Sequence, residues 1–120
     1  MARGDFSHLE IPADDPGRVL PFYTALFGWE FGQMEPFGEY NLFRLSCSNA
    51  GGAVGKRDVT AGHALNVAIE VDSIDEALAT TVRMEGTVVR PKSEVQGFGW
   101  SAHVADPEGN QIMIFEPLRG

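Results

Sequence analysis

In two stretches of this chain a histidine or an asparagine stands close to a glutamate. His8 and Glu10 are two positions apart in HLEIPA, and Asn66 and Glu70 are four apart in NVAIEV. Residues separated by an even number lie on one face of a β-strand, so each pair shares a face if these stretches are strands. Imidazole nitrogen and carboxylate oxygen are good donors for divalent metal ions. A metal site built from His8, Glu10 and Glu70 is therefore one interpretation.

The alternative interpretation of the two glutamates is structural. An inward-pointing carboxylate must be paired with a cation or hydrogen-bonded. Arg44, a backbone N–H or a tyrosine hydroxyl would each satisfy Glu10 or Glu70. Likewise, His8 is either a hydrogen-bonded pocket histidine or a metal ligand.

Other reactive groups carry weaker signals. His103 shares a strand face with Ser101 in WSAHVAD, and is either a pocket acid–base group or a structural histidine. His63 lies in a linker stretch, where exposure is expected. The single Cys47 cannot form an intrachain disulfide, which favours a reducing compartment. No activating base stands beside it in the sequence, which argues against a catalytic thiol. No nucleophile elbow or phosphate-cradling loop is visible.

The composition indicates one globular domain, residues 1–120. The net charge of −8 argues against nucleic acid or an anionic membrane as partners. The N-terminal stretch has no apolar signal-peptide core, and no stretch approaches the roughly 18 apolar residues of a membrane span. We therefore expect a cytoplasmic protein.

The chain repeats its landmarks at an interval of 58 residues. Gly28 falls on Gly86, and Gly51 falls on Gly109. Each half begins with a short strand of alternating polarity, continues with an amphipathic helix and ends with three strand-like runs. This order predicts an α+β fold of two tandem βαβββ modules.

The boundaries of the elements follow from local signals. Asp14 or Asp15 caps the first helix, and Pro16 suits its first turn. Ser73 caps the second helix in the capping box SIDE, and a glycine ends each helix. The two modules are predicted to span residues 6–56 and 64–117.

Strand alternation assigns a face to each side chain. Leu9 and Ile11 in the first strand, and Ile112 and Ile114 in the last, should meet the helices. The opposite face is too polar for a plain core and suits a lined cleft. It carries His8, Glu10, Asn66, Glu70, Gln111, Met113 and Phe115.

The paired modules, the stretch HLEIPADDPGRVLPFYTALFGWEF and the stretch DPEGNQIMIFEP resemble the vicinal oxygen chelate superfamily. That group includes glyoxalase I, extradiol dioxygenases, fosfomycin-resistance enzymes and bleomycin-binding proteins. The resemblance covers residues 6–117. It implies a curved, barrel-like mixed sheet around a cleft with the helices outside, a small organic molecule as ligand, and a homodimer.

Metal enzymes of this superfamily hold one divalent ion on the first and last strand of each module. Carried over, these positions are His8, Gly55, Asn66 and Met113. Gly55 has no donor, Met113 offers a soft thioether and Asn66 a neutral oxygen, so only His8 is a good ligand. We therefore expect no metal cofactor; a divalent ion, if one binds, would use His8 with Glu10 or Glu70.

Aromatic residues complete the predicted ligand site. Tyr40 and Phe98 correspond under the same interval, and together with Trp100 we expect them to form an apolar ligand wall. The stretch SEVQGFGWS around Phe98 predicts either a mobile rim or an ordinary hairpin loop. The predicted ligand-binding residues are His8, Glu10, Tyr40, Asn66, Glu70, Phe98, Trp100, His103, Gln111 and Met113.

Three functions are compatible with these residues. The favoured one is a metal-free family member that binds a small organic molecule, either sequestering it or acting on it through protein groups. The second is a metal-dependent lyase or dioxygenase with an atypical site of His8 and glutamate. The third is a non-catalytic structural or interaction module whose cleft is filled.

Overall fold

The structure is a computed structural model and describes residues 3–33, 39–45 and 50–118. The chain forms two compact units. We call Ser7–Asn66 the N-terminal unit, and Val67–Gly120 together with Met1–Phe6 the C-terminal unit. Each follows the order strand, helix and three strands, so the predicted α+β class with two βαβββ modules is confirmed.

The strands of the N-terminal unit mix parallel and antiparallel pairing. β1 pairs in parallel with β4, β4 is antiparallel to β3, and β3 is antiparallel to β2. The order across the strands is therefore β2-β3-β4-β1. The elements are β1 (Phe6–Ala13), α1 (Pro16–Phe27), β2 (Gly32–Gln33), β3 (Tyr40–Arg44) and β4 (Gly51–Lys56).

The C-terminal unit repeats this arrangement. β5 is parallel to β8, β8 is antiparallel to β7, and β7 is antiparallel to β6. Near its start, the backbone N–H of Gly4 donates to the carbonyl oxygen of Glu70 at 2.9 Å. The elements are β5 (Asn66–Glu70), α2 (Ile74–Arg83), β6 (Thr87–Val95), β7 (Gly99–Ala105) and β8 (Gln111–Pro117).

The helix boundaries follow the sequence signals, with two differences. Asp15 is the residue that precedes α1, but its side chain makes no capping hydrogen bond. Ser73 caps α2 by accepting from the backbone N–H of Glu76, as predicted. At the end of α2, Glu85 has the positive φ of 68°, not Gly86. Gly86 is instead needed for close approach, because a Cβ there would lie 2.7 Å from the Ala105 carbonyl oxygen.

The helix of each unit packs on the apolar side of its strands. In the N-terminal unit, Leu9 and Ile11 contact the helical residues of α1, as predicted. In the C-terminal unit, Ile114 packs with Ile74 and Ala102. Burying an aliphatic side chain of this size contributes about 1.5–3 kcal/mol, so these contacts strongly favour one facing of β1 and β8 over the other.

A tight turn joins β7 to β8. Gly109 has a φ of 86°, which confirms the turn predicted from Asp106 to Asn110. The Asp106 carboxylate accepts from the backbone N–H groups of Glu108 and Asn110 and from the Asn110 side chain. These hydrogen bonds, led by that of the Asn110 side chain, hold the pKa of Asp106 below its usual range.

Strand β6 lies at the outer edge of the C-terminal unit and is irregular. Its pairing with β7 shifts register between Val88 and Arg90, and again between Arg90 and Ser93. Pro91 lies within the second of these shifts and has no backbone N–H to donate. Among the residues of the described ranges, no helix is long and apolar enough to cross a membrane.

Gly52 on β4 tests how tightly the N-terminal unit is packed. A Cβ at this position would overlap the carbonyl oxygen of Leu9 and lie 2.8 Å from the Phe43 ring. We expect Gly52→Ala to lower the free energy of unfolding by about 1–3 kcal/mol, the usual cost of overpacking. Urea denaturation measures this loss. The matched control is Gly32→Ala, because a Cβ at Gly32 meets no atom within 4 Å; equal midpoints for the two variants would contradict the packing described.

Candidate functional site

Three polar side chains gather on one face of the N-terminal unit. Alternation along β1 turns Leu9 and Ile11 towards α1, which leaves His8 and Glu10 on the opposite face. Strand β3 brings Tyr40 to that face. We call His8, Glu10 and Tyr40 the polar cluster.

The polar cluster is a continuous chain of hydrogen bonds. Nε2 of His8 lies 2.7 Å from the Tyr40 hydroxyl oxygen, and that hydroxyl donates to Oε2 of Glu10 at 3.2 Å. The other oxygen of the carboxylate, Oε1, accepts from the backbone N–H of Gly62 at 3.0 Å. The structural interpretation, in which a tyrosine and a backbone group satisfy an inward carboxylate, is therefore confirmed for Glu10.

The positions of the protons follow from the donors available. A carboxylate only accepts, so the single hydroxyl proton of Tyr40 is given to Glu10. The contact between Tyr40 and His8 then requires the imidazole to carry its proton on Nε2. The lone pair of a neutral His8 lies on Nδ1. In the described part of the chain His8 makes no other hydrogen bond, so Nδ1 is the acceptor that a ligand would meet.

Burial sets the charge of two members of the polar cluster. It lowers the pKa of His8, and the nearby charge of Glu10 offsets this effect only in part. Burial also raises the pKa of Tyr40 far above its ordinary value, as do the charge of Glu10 and the hydrogen bond to it. At neutral pH, His8 is therefore an uncharged base and Tyr40 keeps its proton.

Small residues on β4 give the Tyr40 side chain its room. Tyr40 pairs with Gly55, and Ala53, on the same face of β4, is fully buried. A Cβ at Gly55 would lie 3.0 Å from the Tyr40 ring, 2.9 Å from Ala61 and 3.1 Å from Thr60. The space above Gly55 is filled, so a metal-binding side chain would not fit there.

Strand pairing corrects one assignment made from the 58-residue interval. Glu10 pairs with Ala53, whereas Ala68, its counterpart, pairs with Met113. The counterpart of Met113 is therefore Ala53, and Gly55 lies two residues further along β4. The alanine side chain cannot ligate a metal ion either, so replacing Gly55 by Ala53 adds no metal ligand to the set.

The divalent metal implied by the family resemblance does not fit these residues. Ala53 and Gly55 have no donor atom, Met113 offers only a thioether, and Nε2 of His8 is engaged by Tyr40. Within the described ranges, no group of three or more histidine, cysteine, aspartate or glutamate side chains is placed to hold an ion.

Several predicted residues share one face of the C-terminal unit. Ser101 and His103 lie on the same face of β7, as predicted. His103 pairs with Met113, and Ser101 pairs with Phe115, which is also the partner of Glu70. Glu70 and Ser101 are buried. Asn66 and Gln111 stand at the beginnings of β5 and β8, respectively, and Gln111 is exposed.

Trp100 lies on the other side of β7 from Ser101 and His103. Its ring packs against the apolar cluster that includes Ala102 and Ile114, and Nζ of Lys92 lies 5.3 Å from the ring centre. This placement makes Trp100 part of the helix-facing core and differs from the ligand wall expected for it. Alternation explains the difference, because an even position on β7 cannot share a face with Ser101.

The correspondence between Tyr40 and Phe98 also differs from the expectation. Tyr40 pairs with Gly55, and Ser101 pairs with Phe115. With Ala53 as the counterpart of Met113, these pairs make Ser101 the counterpart of Tyr40. Phe98 precedes β7 in a turn, and its exposed fraction is 45%.

Two residues and one cavity complete the description. Gly62 contacts the polar cluster through its backbone N–H, and nothing in the sequence pattern marks this residue beyond its place in a linker. Cys47, the candidate catalytic thiol, lies outside the described residues. A cavity of about 470 Å³ is lined by residues none of which is a predicted site residue: Gly28, Trp29, Glu30, Leu42, Phe43 and Arg44.

Comparison with known proteins supports the fold described above. The family model of the Glyoxalase/Bleomycin resistance protein/Dioxygenase superfamily matches residues 5–114. No curated protein matches the chain.

Solved structures match nearly the whole chain at low identity. A hypothetical protein of Bacillus halodurans C-125 has a TM-score of 0.73 at 16% identity, covering 98% of this chain and 96% of its own. Methylmalonyl-CoA epimerase from Mycobacterium tuberculosis has a TM-score of 0.71 at 14% identity, covering 99% and 92%. A glyoxalase/bleomycin resistance protein/dioxygenase superfamily member from Vibrio splendidus 12B01 has a TM-score of 0.67 at 13% identity, covering 96% and 99%. At such identities these likenesses show the fold alone.

The lowered pKa of His8 predicts how stability depends on pH. Below its ordinary pKa of 6.5 the unfolded chain binds a proton at His8 that the folded chain resists, so stability is lost as the pH falls. We expect the free energy of unfolding to fall between about pH 7 and pH 5, with a slope of at most about 1.4 kcal/mol per pH unit from this proton. Urea denaturation across this range measures the slope.

The control separates His8 from the other titrating groups. His8→Gln should flatten the slope, whereas His63→Gln, at an exposed histidine, should keep the loss of stability on acidification that His8 causes. Equal slopes for the parent and His8→Gln would show that His8 is not held uncharged by the fold.

Proposed function

The chain belongs to the Glyoxalase/Bleomycin resistance protein/Dioxygenase superfamily, and from this premise we propose that it binds a small organic molecule at the polar cluster without a resident divalent metal. Such a molecule would be sequestered, or acted on by protein groups. His8 is the group we propose to contact it.

One observation carries this proposal: the Tyr40 side chain crosses β4 above Gly55 and its hydroxyl group is hydrogen-bonded to Nε2 of His8. The same side chain thus fills the space above Gly55, two residues along β4 from the metal position at Ala53, and engages the nitrogen of the metal position at His8. A metal ion would have to displace Tyr40, and it would then find no carboxylate or imidazole at Ala53 or Gly55. The polar cluster is complete without a cation, because each of its hydrogen-bonding contacts joins a donor to an acceptor.

The surroundings of the polar cluster support one chemical class of ligand. Neutral His8 presents an acceptor at Nδ1, which suits an O–H or N–H group. On the same side of the sheet, the row that contains Glu10 continues through two apolar residues, the fully buried Ala53 and the half-buried Leu42. The favoured ligand is therefore a mostly apolar small molecule with one hydrogen-bond donor.

The structural neighbours add limited support. One of them is named methylmalonyl-CoA epimerase, so one protein with this fold acts on an organic compound. At 14% identity neither that substrate nor that reaction is carried over to this chain.

The metal content of the purified protein tests the first half of the proposal. We expect protein prepared without chelator to hold less than stoichiometric Ni, Zn, Fe or Mn, because the donor set does not fit an ion. Native mass spectrometry measures metal, co-purified small molecule and subunit count in one experiment. One ion per chain would overturn the metal-free assignment, and a monomeric mass would contradict the homodimer that we also propose from the family resemblance.

The ligand class is tested with phenol and anisole, which share an aromatic ring and differ in the O–H donor. We expect phenol to bind about 2- to 13-fold more tightly, the ratio that one hydrogen bond of about 0.5–1.5 kcal/mol gives. Backbone amide chemical-shift changes in NMR titrations report both affinities in the parent protein and in its variants, and those of the His8 imidazole report contact with His8 in the parent protein.

Variants identify the residue responsible for this difference. His8→Phe removes the acceptor and should abolish the preference for phenol, whereas His63→Gln, at an exposed histidine, should retain it. Equal affinities of the parent protein for the two probes would refute His8 as the acceptor. If neither probe shifts the His8 resonances and no small molecule co-purifies, a structural or interaction role replaces the binding function.

A further inference from the structure

The linker that follows β4 folds back onto the polar cluster. We call residues 57–63 the linker loop. Its turn is held at the carbonyl oxygen of Lys56, which accepts from the backbone N–H groups of Val59, Thr60 and Ala61, each at 3.0 Å. This turn brings the backbone N–H of Gly62 to Oε1 of Glu10 at 3.0 Å.

Arg57 clamps both ends of the linker loop. Its backbone N–H donates to the Ala13 carbonyl oxygen at 2.9 Å, and its Nε donates to Oδ1 of Asp14 at 2.8 Å. At the other end, Nη1 of Arg57 donates to the carbonyl oxygen of His63 at 2.6 Å. Since His63 follows Gly62 directly, this guanidinium connects the end of β1 to the group that holds Glu10.

We propose that Gly62 and Arg57 are positioning residues of the polar cluster: the Gly62 N–H fixes which way the terminal group of Glu10 is turned, and the Arg57 clamp holds that N–H in place. This inference rests on the proposed function, because it concerns the nitrogen that His8 presents to a ligand. With Oε1 held by Gly62, Oε2 is presented to Tyr40, and His8 keeps its proton on Nε2 and its lone pair on Nδ1.

A carboxylate hides this orienting effect, because its two oxygens are equivalent acceptors. Glu10→Gln reveals it, because an amide has one acceptor oxygen and one donor NH₂ group. In this variant the Gly62 N–H should select the amide oxygen and turn the NH₂ group towards Tyr40. Tyr40 must then donate to Nε2 of His8, and the imidazole proton moves to Nδ1.

The experiment measures the tautomer of His8 by the imidazole ¹⁵N chemical shifts of the free protein, which distinguish the two nitrogens. We expect the Nε2–H form in the parent protein and the Nδ1–H form in Glu10→Gln. Adding Gly62→Pro removes the backbone N–H, so the amide is free to turn its oxygen to Tyr40 and the Nε2–H form should return. The matched control adds Gly62→Ala, which keeps the N–H and places a Cβ no closer than 3.7 Å to Glu10.

A second pair of variants keeps the test decisive if proline disturbs the fold. In the Glu10→Gln background, Arg57→Met removes the guanidinium contacts and should shift the tautomer back towards Nε2–H. Asp58→Asn is its control, because it removes the exposed ion pair with His63 and leaves the Arg57 contacts intact. Asparagine also tolerates the φ of 61° at this position.

The outcomes separate this inference from the proposed function. An unchanged tautomer in Glu10→Gln, or the same tautomer in Glu10→Gln with and without Gly62→Pro and Arg57→Met, would overturn the orienting role of the linker loop. These measurements use the ligand-free protein, so they stand whether or not phenol binds. Conversely, a tautomer that switches as expected would support the inference even if the ligand class were wrong.

Discussion

The two-residue period of β1 is the constraint on which the rest of the candidate site depends. Because Leu9 and Ile11 pack beneath α1, alternation along the strand places His8 and Glu10 on the opposite face. A shift of one residue would expose the apolar pair and bury the ionisable pair, at a cost of several kcal/mol in lost apolar burial alone. The core of the N-terminal unit therefore places the reactive groups, although it makes no contact with a ligand.

The hydrogen-bonded side chain of Tyr40 occupies the space above Gly55 on β4. The residues of β4 at Ala53 and Gly55 have small side chains or none, so Tyr40 reaches across β4 to β1. There it hydrogen-bonds to His8 and Glu10, which would otherwise lose contact with water without gaining a hydrogen bond. The same smallness removes the side chains that would complete a cation site. The absence of metal-binding side chains at these two positions and the contact made by Tyr40 are thus two aspects of one packing arrangement.

Sequence periodicity predicts local facts well and long-range registration poorly. It finds the helix face of Leu9, Ile11 and Ile114, the Ser73 cap and the turn at Gly109, because each depends on neighbours a few residues away. It misplaces Gly55 and pairs Tyr40 with Phe98, because the interval of 58 residues holds for the first strands and helices, whereas the later strands of the two units differ in register. It assigns Trp100 to a ligand wall, although alternation along β7 places this residue on the helix side of the strand, opposite Ser101. The contact of Gly62 with Glu10 leaves no trace in the pattern at all, since a backbone N–H is common to every residue but proline.

The irregular outer strand β6 has a consequence for how copies of this chain associate. An exposed strand of this length would normally offer a ladder of free backbone groups to another molecule. Two register shifts, the missing amide hydrogen of Pro91 and the charged side chains of Arg90 and Lys92 interrupt that ladder. Intermolecular sheet extension at β6 is therefore disfavoured, which protects against fibre-like aggregation and directs any pairing of subunits to a different surface.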